Sequence, residues 1–303
     1  MFQDFPMNAN RRRFLEMAGL ALGAAGLAPR GLRAAEGSRP PNLSKAPSEM
    51  RLGTVTYNLA QDWDLDTLIK NCQEARFAGV ELRTSHAHKV EVVLTKAERE
   101  TVKKRFLDSS VQLMGLGSAF DYHTPDQNIL RKDIAATKDY IILAHDVGAG
   151  GVKVRPNGLP KEVPPEKTLA QIGRSLRELG EFGEGYGIEI RLEVHGPATS
   201  LLPNIKAIMD VADHKNVGVC WNSNQSDLEG AGFDHNFNLV KDKIRSVHMR
   251  DLYLEEYPFR VLLTKLAANG FSGFCLAEIP ASKDPVRLMK YYRALWLSYQ
   301  GLL

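Results

Sequence analysis

Four residues that could share one cation stand at matching places along the chain: Glu193, Asn222, His248 and Glu278. Each closes a short apolar run. Ile188–Gly196 alternates strictly, with Ile188, Ile190, Leu192 and Val194 on one side and Glu189, Arg191, Glu193 and His195 on the other. That period of two marks a strand, and the β-branched content agrees with it. Parity counted back from the other tips places Asn222 with Gly218 and Cys220, His248 with Ser246 and Ile244, and Glu278 with Leu276 and Phe274. Trp221 takes the opposite side and is expected to pack against helices. Singly, each tip has an ordinary reading: a glutamate in a salt bridge, a hydrogen-bonded structural histidine, an asparagine opening the turn Ser223-Asn224. Together they form a donor set. Two carboxylates, an imidazole and an amide oxygen suit a hard to borderline divalent ion, Mn, Mg, Co or Zn.

Such residues meet only if the strands that carry them are neighbours, and the rest of the chain supplies that arrangement. Strands are expected at Arg51–Tyr57, Val80–Arg83, Val111–Ser118, Gly151–Arg155, Ile188–Val194, Val217–Asn222, Ile244–Met249 and Gly273–Ile279. Helical patterns fall between them: Leu65–Ala78, Lys96–Ser109 behind a Thr95 cap, Gln127–Val147, Pro165–Tyr186, Pro203–Asp213, a short stretch near Phe237–Asp242, Pro258–Asn269 and Pro285–Gln300. Eight strand–helix alternations over about 250 residues are what an α/β (β/α)8 TIM barrel requires. The turn after Tyr57, Asn58-Leu59-Ala60-Gln61, lacks the glycines of a dinucleotide-binding turn. In a parallel barrel the apolar parity faces the helices and the other parity faces the interior. The C-terminal tips then ring the mouth, where such barrels keep their chemistry.

The 303-residue chain is 44% hydrophobic, enough for one domain of barrel size. Its first 35 residues read as a targeting segment. Arg11-Arg12-Arg13-Phe14-Leu15 resembles a twin-arginine export motif, and the apolar run Met17–Leu27 after it is too short to span a bilayer. The expectation is a signal at 1–35, a Pro/Ser-rich flexible linker at 36–50 and a barrel at 51–303. The protein would be exported to the periplasm or beyond, with the twin-arginine export machinery as a partner. Removing residues 1–35 deletes five arginines and two acids and leaves 34 basic and 34 acidic residues. A neutral domain of this kind offers no net basic face to a nucleic acid. Cys72, Cys220 and Cys275, odd in number and each inside an expected element, read as buried apolar residues. The oligomeric state, a homo-oligomer included, is left open by the sequence.

Leu192-Glu193-Val194-His195, Val217–Asn222, Ser246–Asp251 and Leu276-Ala277-Glu278 resemble, in order and spacing, the xylose-isomerase-like TIM-barrel proteins. That family includes sugar isomerases and epimerases, inosose dehydratases and, more distantly, the endonuclease IV group. The resemblance runs from about Arg51 to the C-terminus. It implies that Glu193, the Asn222 position, His248 and Glu278 bind a divalent metal and that the two glutamates act as an acid/base pair. The chain departs from the pattern at Asn222, where the family typically carries Asp, and at Gln225, where a His is often found. An amide oxygen can ligate, but one negative charge is lost and the ion should be held less tightly.

The expected reaction is removal of a proton next to a carbonyl of a sugar or polyol, one glutamate taking the proton and the other returning one on the opposite face. Lys153 and Arg155 share a parity at the fourth tip and are expected to hold hydroxyls or an acidic sugar, or else to form interior ion pairs with the charges around Glu189 and Arg191. His195, His86 and Asp251 are further candidates for substrate binding, with His88, Asp121 and His123 nearby and Phe120 and Tyr122 as an apolar wall. Two alternatives use the same mouth: a lyase or dehydratase on a keto-sugar or inosose, and a non-catalytic carbohydrate-binding barrel with a weakened metal site. An endonuclease-type phosphodiesterase needs many more His and Asp ligands and a basic surface, and neither is present.

Overall fold

The computed structural model describes residues 49–303. The signal expected at 1–35, and most of the linker expected at 36–50, lie outside the described residues. Met50, the last linker position, is buried against Cys275. Eight parallel strands close into a barrel in sequence order: β1 Arg51–Val55, β2 Gly79–Arg83, β3 Gln112–Gly117, β4 Gly151–Val154, β5 Glu189–Glu193, β6 Val217–Asn222, β7 Ile244–Met249 and β8 Phe274–Ala277. Around them lie α1 Leu65–Ala75, α2 Lys96–Leu107, α3 Gln127–Val147, α4 Pro165–Glu184, α5 Leu202–Ala212, α6 Phe233–Val240, α7 Phe259–Ala268 and α8 Pro285–Tyr299. The expected (β/α)8 barrel is the fold. No described helix is long and apolar enough to cross a membrane.

Local chemistry explains most element ends. Thr95 and Glu98 form a reciprocal capping box at the start of α2, and Asp64 and Asp126 accept from the first turns of α1 and α3. The one poorly patterned connection is where the boundaries differ most. The short helix expected near Phe237–Asp242 runs from Phe233 to Val240, and single 3-10 turns precede and follow it at Gln225–Leu228 and Lys241–Lys243. Gly232, with φ of 87° and ψ of 172°, sets its start, a conformation that residues with a Cβ avoid.

The parity rule separates two apolar regions. Outward side chains such as Ile190, Leu192, Val219, Val247 and Cys275 join the helices in one continuous core, while Val55, Met114, Phe274 and Leu276 make a small plug inside the barrel. Trp221 packs outward as expected, against Phe233 and Phe237, and donates its indole N–H to Tyr257. The rule fails at the start of β7. A register shift leaves Val219 opposite Ile244 but Cys220 opposite Ser246. Ile244 therefore belongs to the outer core and not to the side of His248, and Arg245 turns toward the barrel floor beside Glu189.

Candidate active site

The register brings the four tips together. Glu193 pairs with Cys220, Asn222 with His248, and Glu278 follows β8 with its N–H on Met249. His248 is the centre of the group, almost fully buried. Its Nδ1 lies 3.6 Å from Glu193 Oε1 and 3.7 Å from Glu278 Oε2, and the donor atoms of the three residues all fall within 4.8 Å of one another. Asn222 donates its amide N–H to Glu193 Oε1 at 3.2 Å. Glu193, Asn222 and Glu278 share one cavity of about 320 Å³ with Lys153, Arg155 and His195, and Tyr57, Arg83 and Arg250 help to line it; His248 is buried against Glu193 and Glu278 and does not line it.

Two features of this group escaped sequence reasoning. Lys153 on β4 does not pair with Glu189; its Nζ sits 2.6 Å from Glu193 Oε2, and both side chains are 4% exposed. Glu81 on β2 lies beneath the site, fully buried, with Oε1 3.4 Å from His248 Nε2. Gly117 makes room for it, since a Cβ there would stand 2.8 Å from Glu81 Oε1. The signal was available: Glu81 and Arg83 share the inward parity of the second strand, as Glu193 and His195 do on the fifth.

Charge on these groups follows from their surroundings. Burial opposes ionisation of Glu193, yet the Lys153 ammonium and His248 hold its carboxyl well below the usual range. Burial raises Glu278, and although His248 works against this, the neighbouring Glu193 charge adds to it. Burial also disfavours a charged His248, but Cys220, Glu81 and Glu193 around the ring push it well above the usual imidazole range. One glutamate is thus held as the anion while the other is drawn toward its acid form.

A divalent ion fits the donors present. Neither ring nitrogen of His248 has a hydrogen bond, and the carboxylate oxygens stand too far from Nδ1 to make one. Two donors each about 2.1 Å from a tetrahedral ion lie about 3.4 Å apart, close to that spacing. Glu81 stands 3.4 Å from the opposite nitrogen, on the side where a carboxylate would accept from a ligating imidazole. Glu193, His248 and Glu278 would hold the ion, joined by Asn222 once its amide is turned to present oxygen. Lys153 beside Glu193 offsets part of the negative charge, so the set is weaker than one with a third acid.

The family follows from this barrel and these tips. A family model described as a xylose isomerase-like TIM barrel matches residues 69–296. The chain belongs to that family. Among solved structures, this xylose isomerase-like barrel is similar to the 3-keto-D-glucoside 4-epimerase of E. coli, at 15% identity over 82% of this chain and 99% of that one with a TM-score of 0.69. D-psicose 3-epimerase from Clostridium cellulolyticum H10 gives 15% identity over 84% and 99% with a TM-score of 0.70. The IolI protein, whose structure holds a zinc atom, gives 17% over 83% and 96% with a TM-score of 0.67. At such identities the likeness is one of fold. No curated protein sequence matches the chain.

Other expected contacts fall elsewhere. Asp251 lies outside the cavity and Arg250, one residue earlier, lines it, because parity past His248 turns Met249 out and Arg250 in. His86 stands behind the lining, with Nδ1 2.8 Å from Thr56 Oγ1 and its ring stacked on Tyr57. His88 is a structural residue, bonded to the Arg83 carbonyl and the Val90 N–H. Asp121 pairs with His123 at 2.8 Å. The apolar wall is not formed: Tyr122 is fully buried with its hydroxyl on Thr137, and Phe120 packs on Tyr140.

Proposed function

We propose that this protein is a sugar isomerase or epimerase that moves a proton on a carbon next to a carbonyl, with Glu193 and Glu278 as the acid/base pair. The observation that carries the reading is the convergence of the two carboxyls on His248 with their ionisation driven in opposite directions. Glu193, kept ionised, takes the α-proton. Glu278, drawn toward its acid form, returns one on the other face, and a proton exchanged between them resets the pair. A divalent ion held by Glu193, Asn222, His248 and Glu278 would supply Lewis acidity for the charge that develops on the substrate oxygen. Lys153 keeps Glu193 in place and in its anionic form, and Glu81 orients His248. The epimerases of similar fold support this class of reaction without fixing the substrate.

Deuterium uptake from solvent into ketoses, inososes and 3-keto-glycosides tests the proposal. Exchange that disappears in Glu193→Gln is the expected result, and no exchange with any of these substrates in the metal-loaded protein would sink it. Loss of a hydroxyl during exchange would redirect the same site to the lyase or dehydratase reading. One observation favours a second reading, a non-catalytic carbohydrate-binding barrel: both oxygens of Glu193 are already engaged, by Lys153 and by Asn222.

We also propose that residues 1–35 direct export through the twin-arginine machinery. Fractionation of cells making the full chain should find the protein outside the cytoplasm, and the double change Arg11→Lys, Arg12→Lys should hold it inside.

A further inference from the structure

The mouth of the barrel carries more positive charge than its chemistry uses. Four cationic side chains line the cavity, Arg83, Lys153, Arg155 and Arg250, against the two carboxylates Glu193 and Glu278. Lys153 is spent on Glu193. Among the described residues, neither Arg83 nor Arg155 has a carboxylate partner. Arg155 Nε is buried with no hydrogen bond, and its Nη2 reaches only the Ala119 carbonyl at 3.3 Å. Of the acids on that side, Glu81 on the same strand faces His248, Glu91 is engaged with Thr84, Ser85 and Tyr140, and Asp121 with His123 and Asn157.

Arg83 ends β2, and Arg155 follows β4 with its backbone N–H on Phe120 O. They flank the end of β3 on one side of the mouth. Both guanidiniums line the same cavity as His195. A neutral sugar offers a guanidinium only hydroxyl oxygens, whereas a carboxylate or phosphate offers the fork-to-fork geometry that guanidinium selects and removes the cost of leaving it unpaired.

We infer that the substrate of this site is an anionic sugar, whose carboxylate or phosphate group is bound by Arg83 and Arg155 while its carbonyl end lies between Glu193 and Glu278. That the anion is a sugar rests on the function proposed above; that the pair of arginines takes an anion does not. Arg83 and Arg155 are thus specificity residues on the β2–β4 side, and the acid/base pair stands across the cavity on β5 and after β8.

Calorimetric titration of the full chain with D-fructose, D-fructuronate and a fructose monophosphate tests this. At least one anionic sugar should bind about tenfold or more tightly than fructose, with an advantage that shrinks as salt is raised. That advantage should vanish in Arg155→Gln and in Arg83→Gln while thermal stability is kept. The anionic arm that responds to the variants identifies carboxylate or phosphate as the recognised group. Fructose binding as tightly as both anions, no anionic sugar binding, or an anion preference unchanged in both variants would overturn the inference. The outcome is independent of the reaction: arginine-dependent binding without deuterium exchange would leave the anion site standing and remove the catalytic proposal, and exchange without discrimination would do the reverse.

Discussion

The two ends of this barrel are both polar and both rich in arginine, yet they solve the problem of buried charge differently. At the floor, Arg191 makes two bonds to Glu189 Oε2, at 3.0 and 2.9 Å, and a third to the Met114 carbonyl. Arg245 approaches the other oxygen of Glu189, and Arg51 bonds Gln112 while lying over the Phe274 ring. The cavity there, about 530 Å³, is larger than the one at the mouth. At the mouth, Arg155, Arg250, His195, His248 and Glu81 all keep buried polar atoms without partners. Buried polar groups are nearly always satisfied in folded proteins, so a cluster of unsatisfied ones marks where something else binds. Partnering, and not cavity size, distinguishes the site from the scaffold.

The largest effect that would sharpen this contrast comes from Glu278→Gln. Conversion of any responsive substrate to its epimer should fall by about a hundred- to ten-thousand-fold with the fold intact, as measured by product analysis and circular dichroism. Next comes a pair of changes, one at each end. Lys153→Met leaves Glu193 buried without its counter-charge and should cost about 3–5 kcal/mol in urea unfolding. Arg191→Met should cost only about 1–2 kcal/mol, because Glu189 is 34% exposed and keeps Arg245, and it should leave exchange activity alone. Equal costs at the two ends would remove the distinction drawn above.

A smaller effect concerns the ion. Asn222→Asp restores a third acid and should raise Mn2+ affinity about tenfold or more, seen as a larger thermal shift between Mn2+ and EDTA than in the unaltered protein. Identical shifts in the two proteins would put Asn222 out of the ion's reach. The smallest involves Asp227, behind the site. It accepts from Tyr257 at 2.6 Å, keeps its other oxygen unpartnered, and is pushed by burial up to about 8. Its carboxyl therefore holds a proton in the folded state that the unfolded chain gives up near the ordinary aspartate value. Stability should fall as pH rises from about 4 to about 8, by at most about 1.4 kcal/mol per unit, and level off above that. Asp227→Asn should flatten this slope in denaturation series across that range.

The sequence alone determined the barrel and the meeting of Glu193, Asn222, His248 and Glu278. Alternation fixes the side to which each Cβ points, and consecutive parallel strands are neighbours, so tips of equal parity must face a common mouth. It did not determine what those groups touch. Lys153 has a long, flexible stem, and parity could not say whether it reaches up to Glu193 or down to Glu189. Ile244 and Arg245 exchanged sides because a one-residue shift in register is invisible in a six-residue run. Arg250 replaced Asp251 at the lining because the inward parity of β7 continues one step past its end. Whether an arginine is a strut or a waiting ligand site depends on the acids brought beside it from strands far away in sequence. Only the closed barrel decides that, since it sets which charges share the same few ångströms of low-dielectric space.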